Sequence, residues 1–438
     1  MTRSLHVNIS LLTPGHFRGA WRLPGNDPRA FVDAEHFRRL IQLAESAALH
    51  AVFVGDSPAI APDIANAPGL GLDPVVMLAD AAASTTHIGV IATASTTFEQ
   101  PWSLARRYLS LDHLTGGRAG WNVVTTQQAA AAANFGWDEH PDKELRYRRA
   151  AEFVEVVTAL WDGWEPDALL GDPAGSFADP GRIHPPAHRG EFFAVAGALP
   201  LPRSPQGRPL VVQAGASPGG KRLAGRTADL VFAAAQTPEL ARALRTELRG
   251  HAADAGRDPE SIRVSTGLVV VIGGTEAEAK EREAELRQTI PVRPALEQLA
   301  AQLGLPAGSL DPETVLTPEI VGEAAARSAG FGAGTLALLR QRPHTALELV
   351  HRFAGGAGHR LVVGTPEQVA AGIAEWFESG ATDGFTVMPG DIGADFPAFV
   401  EHVVPELVRI GVYRGEYAHE TLRGNLGLPA PETTTAGV

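Results

Sequence analysis

Eight short apolar runs alternate with longer amphipathic segments along the chain, and this alternation limits its possible folds more than any other feature. Segments such as DAEHFRRLIQLAESAALH and TPEQVAAGIAEWFESG carry apolar residues at helical spacing, whereas the short runs are rich in Val, Ile and Ala. Strands that alternate with helices predict a parallel sheet, because parallel strands need a crossover connection. The predicted strands span residues 5–12, 51–56, 88–94, 120–125, 210–214, 230–234, 264–272 and 384–388.

This strand count predicts an α/β fold of the (β/α)8 TIM-barrel type with insertions. A doubly wound sheet is the alternative, but no Gly-x-Gly-x-x-Gly follows the first strand. We expect one barrel domain over residues 1–428, with Pro- and Gly-rich insertions at about 165–207 and 275–356. The segment 429–438 is predicted to be a disordered tail.

The charge and the cysteine content exclude several classes of protein. A net charge of −13 argues against binding to nucleic acid or to anionic membranes, since both require a basic surface. No apolar run reaches the roughly 18 residues that span a bilayer, and we expect no signal peptide. The absence of cysteine excludes disulfides and thiolate metal sites. We therefore expect a cytoplasmic protein with no bound metal.

In a TIM barrel the functional site lies at the carboxyl ends of the strands. These ends carry hydroxyl and amide side chains here, and Asp56 is the carboxylate predicted nearest to the pocket. This composition disfavours a hydrolase with two catalytic carboxylates. Two prolines between His184 and His188 prevent a metal site on one helix face. With no evident nucleophile or general base, a neutral pocket of this kind suits a bound organic cofactor.

The fifth predicted strand leads into GASPGGKRLAG, a glycine-rich turn followed by a helix. Such a turn directs free N–H groups and the positive end of the helix dipole to one point, which suits a phosphate held together with the hydroxyl of Ser217. The alternative is that Ser217 only caps the helix. Barrel phosphate sites more often follow strands seven and eight, so the residues alone leave both interpretations open.

The fourth predicted strand begins within GGRAGWNVVTT, residues 116–126, where glycines precede Trp121 and Asn122. Glycine weakens a strand unless something approaches the backbone closely. Because side chains alternate between the two faces of a strand, Trp121 and Asn122 point in opposite directions. We expect Trp121 to pack in the core.

The segment SLDHLTGGRAGWNVVTT resembles the bacterial-luciferase-like flavin monooxygenases, and among them the branch of nitrilotriacetate, EDTA and dibenzothiophene-sulfone monooxygenases. Further similar segments, including PGHFRGAWR, NFGWDEH, PRSPQGRPLVVQAGAS and VGTPEQVAAGIAEWFESGATDGFTVMP, extend the resemblance over most of the chain. It implies a (β/α)8 barrel and a monooxygenase that uses FMN, as FMNH2, and O2 to oxygenate a small organic substrate. It also implies a separate NAD(P)H-dependent flavin reductase and assembly as a homodimer or homotetramer.

The resemblance also implies specific contacts to the cofactor. Matching the motif positions of the family assigns FMN contacts to Asp56, Thr93, Tyr147 and Ser217, with Tyr147 and Ser217 at the phosphate. We further expect the glycines of GGRAG to let the flavin ring lie against the strand ends, with Asn122 at its polar edge.

Two positions depart from the pattern of the family. Lys143 stands where the branch has a histidine four residues before the tyrosine, and we expect Lys143 to supply the positive charge at the phosphate instead. Phe17 stands where a second histidine often follows His16. His16 is a candidate pocket residue, and Phe17 is expected to make the substrate pocket more apolar.

Two other functions remain open at this point. One is an F420-dependent oxidoreductase on the same barrel. The other is a flavin-binding protein without turnover, because Lys143 marks a changed cofactor site.

Overall fold

Eight parallel strands form a closed barrel, which confirms the predicted fold. The computed structural model describes residues 3–61, 63–215, 217–327, 331–353, 355 and 358–431. The strands of the main sheet are β1 (His6–Ser10), β2 (Ala51–Val54), β3 (Gly89–Ser95), β4 (Ala119–Val124), β5 (Leu210–Ala214), β6 (Leu230–Ala233), β7 (Arg263–Ile272), β8 (Arg360–Gly364) and β9 (Gly384–Pro389). Strands β1 to β7 pair in chain order, and β9 lies between β7 and β1 and closes the barrel.

Strand β8 is a ninth member of the sheet and was not predicted. β7 is ten residues long, whereas its neighbour β6 has only four. Residues 263–266 of β7 pair with β6, and residues 268–272 pair with β8 on the same side. β8 therefore satisfies backbone groups of β7 that would otherwise form an open edge.

Helices surround the barrel and build the insertions. They are α1 (Ala34–Ser46), α2 (Pro74–Ala82), α3 (Pro101–Leu114), α4 (Ala131–Asn134), α5 (Lys143–Trp161), α6 (Pro218–Thr227), α7 (Pro238–Asp254), α8 (Glu276–Gln288), α9 (Val292–Gln302), α10 (Pro318–Arg327), α11 (Phe331–Gln341), α12 (Ala346–Phe353), α13 (Pro366–Glu378), α14 (Asp395–Ala398), α15 (Val404–Arg409) and α16 (Leu422–Asn425). Short strand pairs join His188–Arg189 to Ala194–Val195 and Val315–Leu316 to His344–Thr345.

Several helices begin with the same local signal, a capping residue followed by proline. The side chains of Ser217, Thr237 and Thr365 each accept a hydrogen bond from a backbone N–H in the first turn of α6, α7 and α13. Proline is favoured directly after such a cap, because its missing N–H has no partner there anyway. These starts are encoded by a few neighbouring residues.

The core between the barrel and the helices contains Trp121, as predicted. Its side chain is fully buried, and its ring lies within 6.1 Å of the rings of Tyr108, Phe153 and Trp161. Its indole N–H donates to the carbonyl of Ala94 at 3.2 Å. Trp121 thus joins β4 to α3 and α5.

The C-terminal segment closes the amino-terminal end of the barrel. Leu422, Leu426 and Leu428 pack with Ile91 and Val212 in one buried cluster inside the strands. The carboxyl ends of the strands are therefore the end available to ligands.

The glycines of GGRAG lie at the closed end, so their predicted role beside the flavin is wrong. Gly116 and Gly117 have φ of +68° and +90° and form the turn into β4, a conformation that favours glycine. A Cβ on Gly117 would lie 3.0 Å from Cγ2 of Thr421. The glycines serve the turn and the close packing of the C-terminal segment.

The two predicted insertions correspond to the segments between α5 and β5 and between β7 and β8. In the second, α8 packs on β7 and β8, and Arg282 pairs with the buried Asp395 at 2.8 Å. Helices α9 and α12 contribute to a separate apolar cluster. The division into one domain with insertions stays a prediction, and residues 432–438 of the predicted tail lie outside the described residues. None of the helices in the described ranges has the length and apolarity of a membrane span.

Candidate functional site

Two adjacent cavities lie at the carboxyl end of the barrel. The insertion-side cavity, of about 330 Å³, is lined by Leu299 of α9, Val350 of α12 and residues of the loop after β1. The β2-side cavity, of about 310 Å³, is lined by the loop after β2, including Gly55 and Ser57. Leu12, His16 and Arg18 line both cavities. The loop after β1 therefore forms the boundary between them.

His16, the predicted pocket residue, lies at this boundary. Its backbone N–H donates to the carbonyl of Pro389 at 2.8 Å, which ties the loop to the end of β9. The buried Nε2 has no hydrogen-bond partner among the residues described. Burial lowers the pKa of His16 to about 3, and the nearby His359 adds to this effect. The imidazole is therefore neutral and can exchange a hydrogen bond with a ligand.

His359 is a pocket residue that sequence reasoning missed. It lines the insertion-side cavity, and its ring stacks on Phe232 with the centroids 4.9 Å apart. Its buried Nδ1 lacks a partner in the described part of the chain. Burial lowers the pKa of His359 to about 4. Its position depends on β8, which was not predicted, so no local signal indicated it.

The depressed pKa of His16 predicts an acid-sensitive stability. The unfolded chain takes up this proton near pH ~6.5, whereas the folded chain resists it. Stability from this source is complete above pH ~6.5 and is lost as the pH falls. We expect the wild type to lose about 1–2 kcal/mol more than His16→Gln between about pH 7.5 and pH 5, as measured by urea unfolding. Equal losses in the two proteins would contradict the assigned burial.

Thr93 and Asn122 are brought together inside the barrel. The Thr93 hydroxyl donates to the carbonyl of Val54 at 2.7 Å, and the Asn122 amide donates to Thr93 Oγ1 at 2.8 Å. Both side chains are buried, and Asn122 Oδ1 has no partner within the described ranges. Asn122 thus offers a free acceptor, whereas the only hydroxyl proton of Thr93 is already used.

Tyr147 and Ser217 meet at the start of α6. The Tyr147 hydroxyl lies 2.8 Å from Ser217 Oγ, and Ser217 also caps the helix by accepting from the N–H of Gly220 at 3.2 Å. A Cβ on Gly219 or Gly220 would lie 3.0 or 3.1 Å from the Tyr147 side chain. The glycine pair therefore permits the close approach of α5, and two hydroxyl groups converge at a helix N-terminus.

Lys143 and Arg146 differ in their surroundings on α5. Lys143 is exposed in the first turn. Arg146, which sequence reasoning did not select, is half-buried and donates to Nδ1 of His140 at 2.7 Å. Nε2 of His140 in turn bonds the carbonyl of Thr126 at 3.0 Å, beyond the end of β4. Burial lowers the pKa of Arg146, and the buried Nε of its guanidinium has no partner among the described residues.

Asp56 follows the end of β2 and is half-buried. Burial raises the pKa of its carboxyl group, with Asp73 and Glu99 adding to the effect. Its neighbours Gly55 and Ser57 line the β2-side cavity. The structure therefore places Asp56 beside this cavity.

Phe17 does not line either cavity, so its predicted effect on the substrate pocket is wrong. Its side chain is fully buried and packs with Val269, Val271, Leu286 and Met388. The backbone N–H groups of His16 and Phe17 donate to the carbonyls of Pro389 and Gly390. His16 lines the cavities, whereas Phe17 belongs to a buried apolar cluster. No cluster of three or more potential metal ligands occurs within the described ranges.

Comparison with known proteins agrees with this geometry. The Luciferase-like monooxygenase family model matches residues 8–383. The chain is 38% identical to N-acetyl-S-(2-succino)cysteine monooxygenase of Bacillus subtilis over 98% of both chains. It is 39% identical to nitrilotriacetate monooxygenase component A of Aminobacter aminovorans, over 99% of this chain and 98% of the relative. The structure of EDTA monooxygenase from Chelativorans sp. BNC1 superimposes with a TM-score of 0.81 at 33% identity, covering 98% of this chain and 99% of the other.

A parallel barrel with two cavities at the carboxyl ends of its strands, together with these matches, defines a flavin-dependent oxidoreductase. The chain belongs to the luciferase-like monooxygenase family. It is a flavin-dependent monooxygenase of the two-component type that uses reduced FMN and O2. The relatives support this activity and not the F420-dependent alternative.

Proposed function

We propose that FMN binds across the β2-side cavity with its phosphate at the N-terminus of α6, and that the organic substrate occupies the insertion-side cavity. The contact between Tyr147 and Ser217, 2.8 Å apart at a capped helix start, is the observation that carries this proposal. Two hydroxyl groups and a positive dipole end form a suitable phosphate site. His16 lies between the two cavities and would face both ligands.

Each group in this arrangement has a defined task. Reduced FMN held here would supply the two electrons with which one oxygen atom of dioxygen enters the substrate and the other leaves as water. Asn122 Oδ1 would accept a hydrogen bond from the polar edge of the flavin ring. Asp56 would contact the flavin from the wall of the β2-side cavity. His16 orients the substrate through its neutral imidazole. Helices α9 and α12 cover the insertion-side cavity and keep water away from the transfer.

The partner and the assembly belong to the same proposal. A relative that carries the designation component A supports a second component for this enzyme. We propose that this component is a separate NAD(P)H-dependent flavin reductase, that the barrel forms a homodimer or homotetramer, and that both proteins act in the cytoplasm. Residues 1–428 would form one domain whose insertions shape the substrate cavity.

Two measurements test this function. The purified chain should quench the fluorescence of FMN on titration. With NADH, a flavin reductase and a substrate, it should form the oxygenated product and lower the yield of hydrogen peroxide. A chain that binds neither oxidised nor reduced FMN would contradict the proposal. Flavin binding without any oxygen transfer to a substrate would instead support a binding protein without turnover.

The two cations of α5 are expected to differ in their effects on FMN affinity. Arg146 is half-buried and lies next to Tyr147, whereas Lys143 is exposed and screened by solvent. Arg146→Ala should weaken FMN binding more than tenfold, because a desolvated cation interacts strongly with a phosphate. Lys143→Ala should weaken it less than threefold, and only at low salt. Fluorescence titration at two ionic strengths measures both effects. A larger loss of FMN affinity in the Lys143 variant would show that Lys143 is the main cation at the phosphate.

A further inference from the structure

The insertion-side cavity carries no net charge on its described walls. Arg18 and Asp63 are the residues with permanently charged side chains that line it. The guanidinium of Arg18 donates to the Asp63 carboxylate at 2.8 Å and to the carbonyl of Pro68 at 3.4 Å. The positive charge of Arg18 is therefore already compensated by Asp63. About a third of each of these two side chains is exposed.

The other polar groups of this cavity are uncharged. His16 and His359 are both neutral at physiological pH, since burial depresses the pKa of each. Nε2 of His16 and Nδ1 of His359 are buried ring nitrogens without partners among the described residues. Buried polar atoms in native proteins are normally hydrogen-bonded. Nδ1 of His359 lies against the Cβ position of Gly267 and is therefore turned toward β7. Both histidines thus line the cavity as uncharged rings.

Most of the remaining wall is apolar. The apolar residues that line the cavity include Leu12, Ala67, Ile290, Pro291, Pro294, Ala295, Leu299, Val350, Phe353 and Met388. A carboxylate moved from water into such surroundings needs a cation and further hydrogen bonds to offset its lost hydration. A polycarboxylate would need several cations.

We infer that the substrate of this enzyme is an uncharged, largely apolar molecule with one or two neutral heteroatoms, such as a carbonyl oxygen, that bond to uncharged polar side chains of the wall such as Asn66 and Gln298. This rests on the proposed placement of the substrate in the insertion-side cavity. The ion pair of Arg18 and Asp63 disfavours anions, because the positive charge of the guanidinium is already compensated by the adjacent carboxylate. Substrate specificity then depends on the repulsion between Asp63 and an anion as well as on the fit of the substrate to the cavity.

Benzamide and benzoate provide a matched pair of probes, since they have nearly the same shape and differ by one charge. Binding to the FMN-loaded enzyme is measured by ligand-observed NMR at millimolar concentration. We expect benzamide to bind more than tenfold more tightly than benzoate. Equal or tighter binding of benzoate, or no binding of either probe, would overturn the inference.

Two variants test the role of the ion pair. Asp63→Asn frees the guanidinium of Arg18 and should raise benzoate affinity more than tenfold, while benzamide affinity changes less than threefold. Arg18→Gln leaves Asp63 unpaired and should weaken benzoate further. Unchanged benzoate affinity in folded Asp63→Asn, judged by its circular dichroism melt, would contradict the assigned charge balance.

The same experiments separate this inference from the proposed function. FMN affinity is measured first on each protein, and the probes are then tested with and without FMN. Loss of FMN binding alone counts against the proposed function. Preference for benzoate in a protein that binds FMN counts against the neutral substrate alone.

Discussion

Ser217→Asp is expected to weaken FMN binding more than tenfold while leaving α6 intact. Aspartate is as good a helix cap as serine, so the N–H of Gly220 keeps an acceptor. Its carboxylate, however, would lie where the phosphate is proposed to bind. Two negative charges about 4 Å apart repel each other by roughly 1 kcal/mol in bulk water and roughly 4 kcal/mol near a protein surface. The value near a protein surface exceeds the ~1.4 kcal/mol of a tenfold loss.

Ser217→Asn is the matched control, because asparagine has the shape and capping ability of aspartate without its charge. We expect it to retain FMN affinity within about fivefold. Riboflavin, which lacks the phosphate, should bind the two variants equally, and the difference between them for FMN should shrink at high salt. Equal FMN affinity in both variants, determined by fluorescence titration, would show that the phosphate does not bind at the start of α6.

Trp121→Ala is expected to destabilise the fold by about 3–5 kcal/mol, the range for deleting a large buried aromatic side chain. Trp121 is fully buried among Tyr108, Phe153 and Trp161, so its removal leaves a cavity at the contact of β4 with α3 and α5. The lost hydrogen bond to Ala94 adds an unsatisfied carbonyl. The urea midpoint of unfolding measures the change, provided that unfolding is reversible.

Two further substitutions provide reference values for the loss of stability in Trp121→Ala. Trp121→Phe keeps most of the buried area but loses the indole N–H, and should cost about 1–2 kcal/mol. Trp102→Ala removes a half-buried tryptophan from α3 and should cost less than Trp121→Ala, because water already reaches part of its ring. A similar loss for Trp102 and Trp121 would show that burial does not decide these energies.

Local features of the chain were sufficient to predict the barrel. The alternation of apolar runs with helical segments depends on periodicities of a few residues, and a cap followed by proline marks helix starts within two positions. The same reasoning located Ser217 at the start of α6 and Trp121 in the core. The contact of Tyr147 with Ser217 joins helices 70 positions apart in the sequence, and only the resemblance to a family indicated it.

The errors concern contacts between distant segments. The glycines of GGRAG have a local signal for close approach, but the approaching group is the C-terminal segment, about 300 residues further along the chain. Phe17 follows a pocket histidine and yet packs beneath the insertion. His359 lies at the pocket because β8 pairs with residues 268–272 of β7.

The sequence by itself therefore determined the barrel, the order of its strands, the buried tryptophan and the helix start that suits a phosphate. Steric and hydrogen-bond preferences of adjacent residues are enough for these features. The tertiary structure alone decided which side chains line the two cavities and how their charges balance. Those walls combine the loop after β1 with α9 and α12, and only packing of the whole chain brings them together.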